Sequence, residues 1–205
     1  MTVTEVETPH GPARAELHCA SEGRAGLLLG HGAGGGIAAP DLVAATRAAV
    51  DAGVHVALVE QPYRVAGRRA PAPAKQLDAA WLSVAEDLGA RWFEGLPLVF
   101  GGRSSGARVA CRTAGEGLAV AVLCLAFPVH PPGKPDRSRV PELDAVDVPV
   151  LVVQGEKDPF GRPAAAHRRE VEVLPGDHNL KADLEGVRRA VGEWLERILR
   201  PMDAE

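Results

Sequence analysis

A chain of 205 residues and 21.5 kDa, 46% of them hydrophobic, fits one domain and can bury a core without metal or disulfide staples. Its 27 acidic and 23 basic residues leave a net charge of −4, which speaks against a general nucleic-acid binder. The longest apolar run, Leu118 to Val129, has 12 residues and contains Pro128, too short for a membrane-spanning helix of about 20.

The opening MTVTEVETPHGP is acidic and has no hydrophobic stretch, so no secretory signal is expected. Thr2 to Thr8 and Ala13 to Cys19 read as two edge strands joined by the turn Pro9-His10-Gly11-Pro12. Gly26 to Gly30 is a short buried strand, stopped by the glycine-rich HGAGGG. A helix from about Asp41 to Ala52 follows, ended by Gly53, and Val54 to Val59 is the next strand. Leu77, Trp81, Val84, Leu88 and Trp92 recur at steps of three or four, which predicts a long helix with both tryptophans in the core.

Leu98 to Phe100 is a strand running into GGRSSG, and Ala107 to Ala114 reads as helix. Leu118 to Phe127 predicts the longest apolar strand, unalternated as in a sheet covered on both faces. Val148 to Val153 and Glu170 to Leu174 are two more strands. Leu184, Val187, Val191, Leu195 and Ile198 give a closing amphipathic helix. Pro131, Pro132, Pro135 and Pro141 interrupt any crossover helix between His130 and Asp147, so an irregular excursion with room for one short helical turn is expected there. Strands alternating with helices, without a repeat or a long linker, mean an α/β fold around a mostly parallel sheet, with residues 1–205 as one domain.

Gly102-Arg103-Ser104-Ser105-Gly106 is a G-x-S-x-G between a strand and a helix. A nucleophile elbow needs small neighbours there because its serine sits in a strained, crowded turn. The pattern alone is weak, and its strand–helix context supplies the specificity. Serine needs a base, and the base needs an orienting acid. His178, in PGDHNL, lies between the last strand and the closing helix, and Asp158 follows the Val148 strand. The order Ser104, Asp158, His178 places each group just past the C-terminal end of a strand, where open α/β sheets hold ligands. His31-Gly32-Ala33-Gly34-Gly35-Gly36 likewise follows a strand, so the backbone N–H groups of Ala33 and Ser105 are the expected oxyanion donors. Read as a phosphate loop, the same glycines lack the Lys-Ser/Thr ending.

Together HGAGGG, GGRSSG, FPVHPPGKP, QGEKDPFG and PGDHNLK resemble the α/β-hydrolase superfamily, across roughly Gly26 to Leu199. Within it they are similar to a small lidless group. That group includes dienelactone-hydrolase-like bacterial proteins, a testis-expressed hydrolase-like protein and a subunit of a histone-acetyltransferase complex. The resemblance implies a three-layer sandwich of seven to eight strands, the second antiparallel, with no cap domain and with Ser104, Asp158 and His178 as catalytic triad. One departure bears on substrate: dienelactone hydrolases proper resemble cysteine-nucleophile enzymes, whereas this elbow carries Ser104.

The function expected is therefore a serine hydrolase cleaving an ester or related acyl bond of a small substrate. The alternative is a hydrolase-fold interaction module without turnover. His31, Tyr63, Arg103 and His130 are candidates for lining the site, although a proline-bracketed loop histidine such as His130 is more often structural. Arg64, Arg68, Arg69, Lys134, Arg137 and Arg139 fall on loops of the same rim or are simply solvated charge. No metal, cofactor, nucleic-acid or membrane partner is expected, and oligomeric state stays open. Cys19, Cys111 and Cys124 show no metal-like spacing and read as reduced thiols of a cytoplasmic protein.

Overall fold

The computed structural model describes residues 2–200. Residue 1 and residues 201–205, the two ends of the domain expected from length, lie outside the described residues. Eight strands form a single sheet: β1 (Thr2–Val6), β2 (Ala13–His18), β3 (Ala25–Gly30), β4 (Val54–Glu60), β5 (Leu98–Arg103), β6 (Ala121–Leu125), β7 (Val150–Gly155) and β8 (Arg169–Leu174). Their spatial order is β1-β2-β4-β3-β5-β6-β7-β8, and every pairing from β4 to β8 is parallel. β2 runs antiparallel to both neighbours, β1 and β4.

The helices are α1 (Pro40–Asp51), α2 (Pro62–Val65), α3 (Ala74–Arg91), α4 (Ser105–Thr113), α5 (Val140–Asp144) and α6 (Leu184–Ile198). α1 and α6 cover one face of the sheet, burying Leu42, Val187, Val191 and Trp194 with Leu27, Leu29 and Leu123. α3, α4 and α5 cover the other, burying Leu77, Trp81, Leu88, Val109 and Leu143 with Leu28, Phe100 and Val122. The result is three layers. β3 and β7 are buried at every residue, which is why their sequences are apolar without alternation.

Three expectations need correction. β2 is not an edge strand, since it pairs on both sides; its alternating burial comes from one face packed and one partly open. β6 begins only at Ala121, because Leu118 turns into the left-handed region (φ 52°) and is 84% exposed. Trp92 is 40% exposed, whereas Trp81 is fully buried edge-on against Phe100 at 5.5 Å. α3 ends at Arg91, and Phe93 takes the inward place that the helical spacing assigns to Trp92.

Between β6 and β7 the proline-rich span holds one helix, the five-residue α5. Arg108 of α4 clamps it through Glu142 (2.5 and 2.8 Å), and Arg112 joins Glu142 to Asp78 of α3. So α5 lies against the body and forms no cap over the sheet's C-terminal edge. Cys111 and Cys124 meet between α4 and β6 with sulfurs 3.5 Å apart, beyond the roughly 2.05 Å of a disulfide. That contact and burial push the Cys124 thiol well up, so it is chemically inert. No helix among the described residues is long and apolar enough to cross a membrane.

Candidate active site

β5 delivers the chain to Ser104, whose backbone takes φ 53° and ψ −106° before α4 begins at Ser105. A non-glycine residue in this region costs on the order of 1–3 kcal/mol and persists only where its surroundings enforce it. Here they do. The Ser104 N–H donates to the Leu125 carbonyl of β6 (2.9 Å), fixing the turn to the neighbouring strand. A Cβ on Gly102 would lie 2.6 Å from the Gly30 carbonyl oxygen, and one on Gly106 would lie 2.3 Å from it. The outer glycines of the motif are therefore steric requirements of an elbow pressed against the end of β3.

The other two groups arrive from the ends of β7 and β8. His178 Nε2 lies 2.9 Å from Ser104 Oγ, and His178 Nδ1 lies 2.7 Å from Asp158 Oδ2. Asp158 Oδ2 also accepts from Gln154 Nε2 (2.8 Å), and its Oδ1 accepts from the Phe160 N–H (2.8 Å). With N–H donors on both oxygens, the carboxylate acts as acceptor only, which requires the hydrogen of His178 on Nδ1. Nε2 is then bare and faces the Ser104 hydroxyl. The Phe160 ring packs edge-on against the imidazole at 4.4 Å, limiting its rotation. The Asp158 side chain is fully buried and that of His178 is 14% exposed, so the carboxylate is dry and the imidazole open on one side.

Gln154 is a residue that sequence reasoning passes over. Fully buried at the penultimate position of β7, it sets Nε2 and its two hydrogens among three acceptors, Asp158 Oδ2 (2.8 Å), the Gly161 carbonyl (2.9 Å) and the Phe127 carbonyl (3.1 Å). It thus ties the acid to the loops after β6 and β7. An internal glutamine in an apolar strand is the signal that could have found it.

The HGAGGG loop leaves β3 beside the elbow, with Gly30 paired in register to Gly102. Among the described residues, neither the Ala33 nor the Ser105 N–H has a protein acceptor, as oxyanion donors require. Two of the expected lining residues hold this loop. The Gln61 N–H can only donate, so His31 Nε2 accepts it (3.1 Å), and His31 Nδ1–H donates to the Gly32 carbonyl (2.8 Å). The Tyr63 hydroxyl donates to the Ala33 carbonyl (3.1 Å). His31 and Tyr63 are buried, at 3% and 5% exposure, so they shape the loop and present no polar atom to a substrate.

Burial pulls the His31 imidazole below the ordinary value of 6.5, against smaller opposing pulls from the Gly32 carbonyl and Glu60. In the unfolded chain that histidine gains its proton near pH 6.5, while in the fold it resists. Stability that is complete above pH 6.5 is therefore lost as pH falls below it. The drop in melting temperature between pH 7 and pH 5.5 should be smaller in His31→Gln than in the wild type. Equal drops would mean that the His31 ring is protonated at no cost in the fold.

Arg103, the third expected lining residue, also spends its guanidinium inside the protein, on Asp41 and on the His178 loop. His130 is half-buried against Gly161, and its Nδ1 lies 3.0 Å from the Pro131 carbonyl, while the hydrogen bonds of the His178 ring go to Ser104 and Asp158. Lys134 and Arg137 are exposed on the proline-rich loop, and Arg64 Nη1 donates to the Arg68 carbonyl. A groove of about 520 Å³ lies at the N-terminal ends of β5 and β6, lined by Leu82, Leu96, Leu98, Leu118 and Val120, away from Ser104.

The family model for an alpha/beta hydrolase domain matches residues 23–188. Among solved structures, the fold is similar to that of XC6422 from Xanthomonas campestris, described as a serine hydrolase without lid. Identity is 21%, 98% of this chain and 96% of that chain are covered, and the TM-score is 0.79. It is similar to Est1E from Butyrivibrio proteoclasticus at 15% identity, covering 97% and 99% of the two chains, with TM-score 0.78. It is also similar to a dienelactone hydrolase from Anabaena variabilis at 16% identity, covering 96% of each chain, with TM-score 0.74. At these identities the likeness is one of fold. No curated protein matches the sequence.

Proposed function

Since the chain belongs to the alpha/beta-hydrolase family, we propose that it is a serine hydrolase cleaving esters, or related acyl bonds, of small substrates through an acyl-enzyme. The observation that carries this reading is the unbroken hydrogen-bond chain Asp158–His178–Ser104 at the ends of three strands. Ser104 Oγ attacks the acyl carbonyl as His178 Nε2 takes its proton. The tetrahedral oxyanion is held by the Ala33 and Ser105 N–H groups, the latter at the N-terminus of α4. Asp158 steadies the imidazolium, which then protonates the leaving alcohol. Water repeats the sequence in reverse roles and frees the acid. No step calls for a metal or organic cofactor, and neither nucleic acid nor membrane is a partner in this reading.

The module alternative would leave this polar chain, and the strain at Ser104, without a task. We propose a cytoplasmic location as well, which three free thiols, two of them buried, support. Two fold neighbours are named as an esterase domain and a thermophilic esterase, which agrees in class with an ester substrate.

The same reading sets acyl-chain preference. With α5 held against the body, no helix between β6 and β7 is left among the described residues to cover a long acyl chain above Ser104. Each methylene left in water forgoes about 0.8 kcal/mol of binding, so lengthening the chain gains little. Hydrolysis of p-nitrophenyl esters from acetate to palmitate should be fastest for the short chains, with no activation at lipid interfaces. An optimum at long chains would contradict the open site, and no turnover of any ester, thioester or lactone would contradict the enzyme.

A further inference from the structure

Resting on the serine-hydrolase reading, we propose that Arg103, at the first x of G-x-S-x-G and directly before the nucleophile, is a positioning residue that locks the three catalytic loops together. Its backbone belongs to the end of β5, one residue from Ser104. Nε donates to Asp41 Oδ2 (3.0 Å), at the start of α1, just beyond the glycine-rich oxyanion loop. Nη2 donates to the His178 carbonyl (3.1 Å) and to Asn179 Oδ1 (3.0 Å), on the histidine loop. Nη1 runs beneath the oxyanion loop itself. A Cβ on Gly32, the residue before the donor Ala33, would lie 2.7 Å from it. One planar fork thus reaches elbow, oxyanion loop and histidine loop at once.

The partner group explains why the fork is rigid. Asp41 is fully buried and its Oδ1 accepts the Leu42 N–H, leaving Oδ2 for Arg103. Burial pushes the Asp41 carboxyl up, and the Arg103 guanidinium opposes that push. The Arg103 side chain is itself only 14% exposed, so the pair is held in a poorly hydrated place where its geometry is well defined. Lysine can satisfy Asp41 but, as a single charged head on a flexible stem, it cannot hold Asp41 and the His178 carbonyl in one plane. The fork therefore has a catalytic consequence that its charge alone does not have. The His178 backbone is fixed relative to Ser104, and with it the 2.9 Å separation of Nε2 and Oγ.

The test uses the wild type, Arg103→Lys, Arg103→Met and the double variant Arg103→Met with Asp41→Asn. Three readouts apply: kcat and KM on p-nitrophenyl acetate, thermal melting, and the downfield proton resonance of the His178 Nδ1–Asp158 hydrogen bond. Arg103→Lys should melt near the wild type while kcat falls about 10- to 100-fold at little-changed KM, the scale of a small misplacement of a reacting group. Its imidazole resonance should broaden. Arg103→Met strands the buried Asp41 and should melt lower. The double variant removes both charges and should regain melting temperature without regaining kcat. Wild-type kcat in Arg103→Lys or in the double variant, or an unchanged imidazole resonance in Arg103→Lys, overturns the brace. Absence of turnover in the wild type refutes the hydrolase reading instead, and the resonance then decides the brace without any activity.

Discussion

Ser104→Ala is expected to lower kcat on a short ester by about 10⁴- to 10⁶-fold, the range lost when the nucleophile of a serine triad is removed. The fold should survive. Among the described residues Ser104 Oγ makes one hydrogen bond, to His178 Nε2, and the elbow is enforced by the Leu125 carbonyl and by the glycines against β3. Alanine adopts the same left-handed turn at a similar cost, so the melting temperature should change little. Turnover within tenfold of the wild type, measured on protein free of contaminating esterases, would place the nucleophile elsewhere.

Asp158→Asn should cost about 10⁴-fold in kcat while leaving the site folded. The reason lies in the three N–H groups around the carboxylate. Asp158 accepts from His178 and Gln154 on one oxygen and from Phe160 on the other. An amide offers one acceptor atom and one donor atom. If its oxygen faces His178, the NH₂ opposes the Phe160 N–H; if the NH₂ faces His178, it opposes Gln154 and forces the imidazole hydrogen onto Nε2. The second arrangement puts a hydrogen where the Ser104 proton must go. A kcat within about tenfold of the wild type would show that the imidazole is oriented by other contacts, Phe160 foremost.

Elements with a strong period or a hard stop were legible in the sequence. α6 runs from Leu184 to Ile198, the first and last residues of its apolar spacing, because Asp183 accepts the Gly186 N–H at its start (2.7 Å). α1 stops where Gly53 supplies a positive φ of 75°. The candidate site was legible for a related reason. Strand-to-loop transitions are marked by glycine and by the loss of apolar residues, and those transitions carry Ser104, Asp158, His178 and Ala33.

What escaped the sequence depends on tertiary contact. The start of β6 is hidden because Leu118 and Val120 are apolar yet exposed, and composition does not reveal a backbone turning at φ 52°. Trp92 fits the period of α3 by spacing, but the helix ends before it and Phe93 fills the core. His31, Tyr63 and Arg103 look like ligand residues because they are polar and next to the motifs. Only the fold reveals that their partners are the Gly32 and Ala33 carbonyls, Asp41 and the His178 loop, which come from 1 to 75 residues away. Gln154 was missed for the same reason: its three acceptors lie on loops after two different strands.

The proposed reaction depends on Ser104 as the nucleophile, made reactive by His178. Covalent labelling of the folded protein with a fluorophosphonate, followed by mass spectrometry of the modified peptide, tests it most directly. The adduct is expected on Ser104, at one per chain, with labelling strongly slowed in His178→Ala. An adduct on Ser105, or none on protein that melts cooperatively, would contradict it.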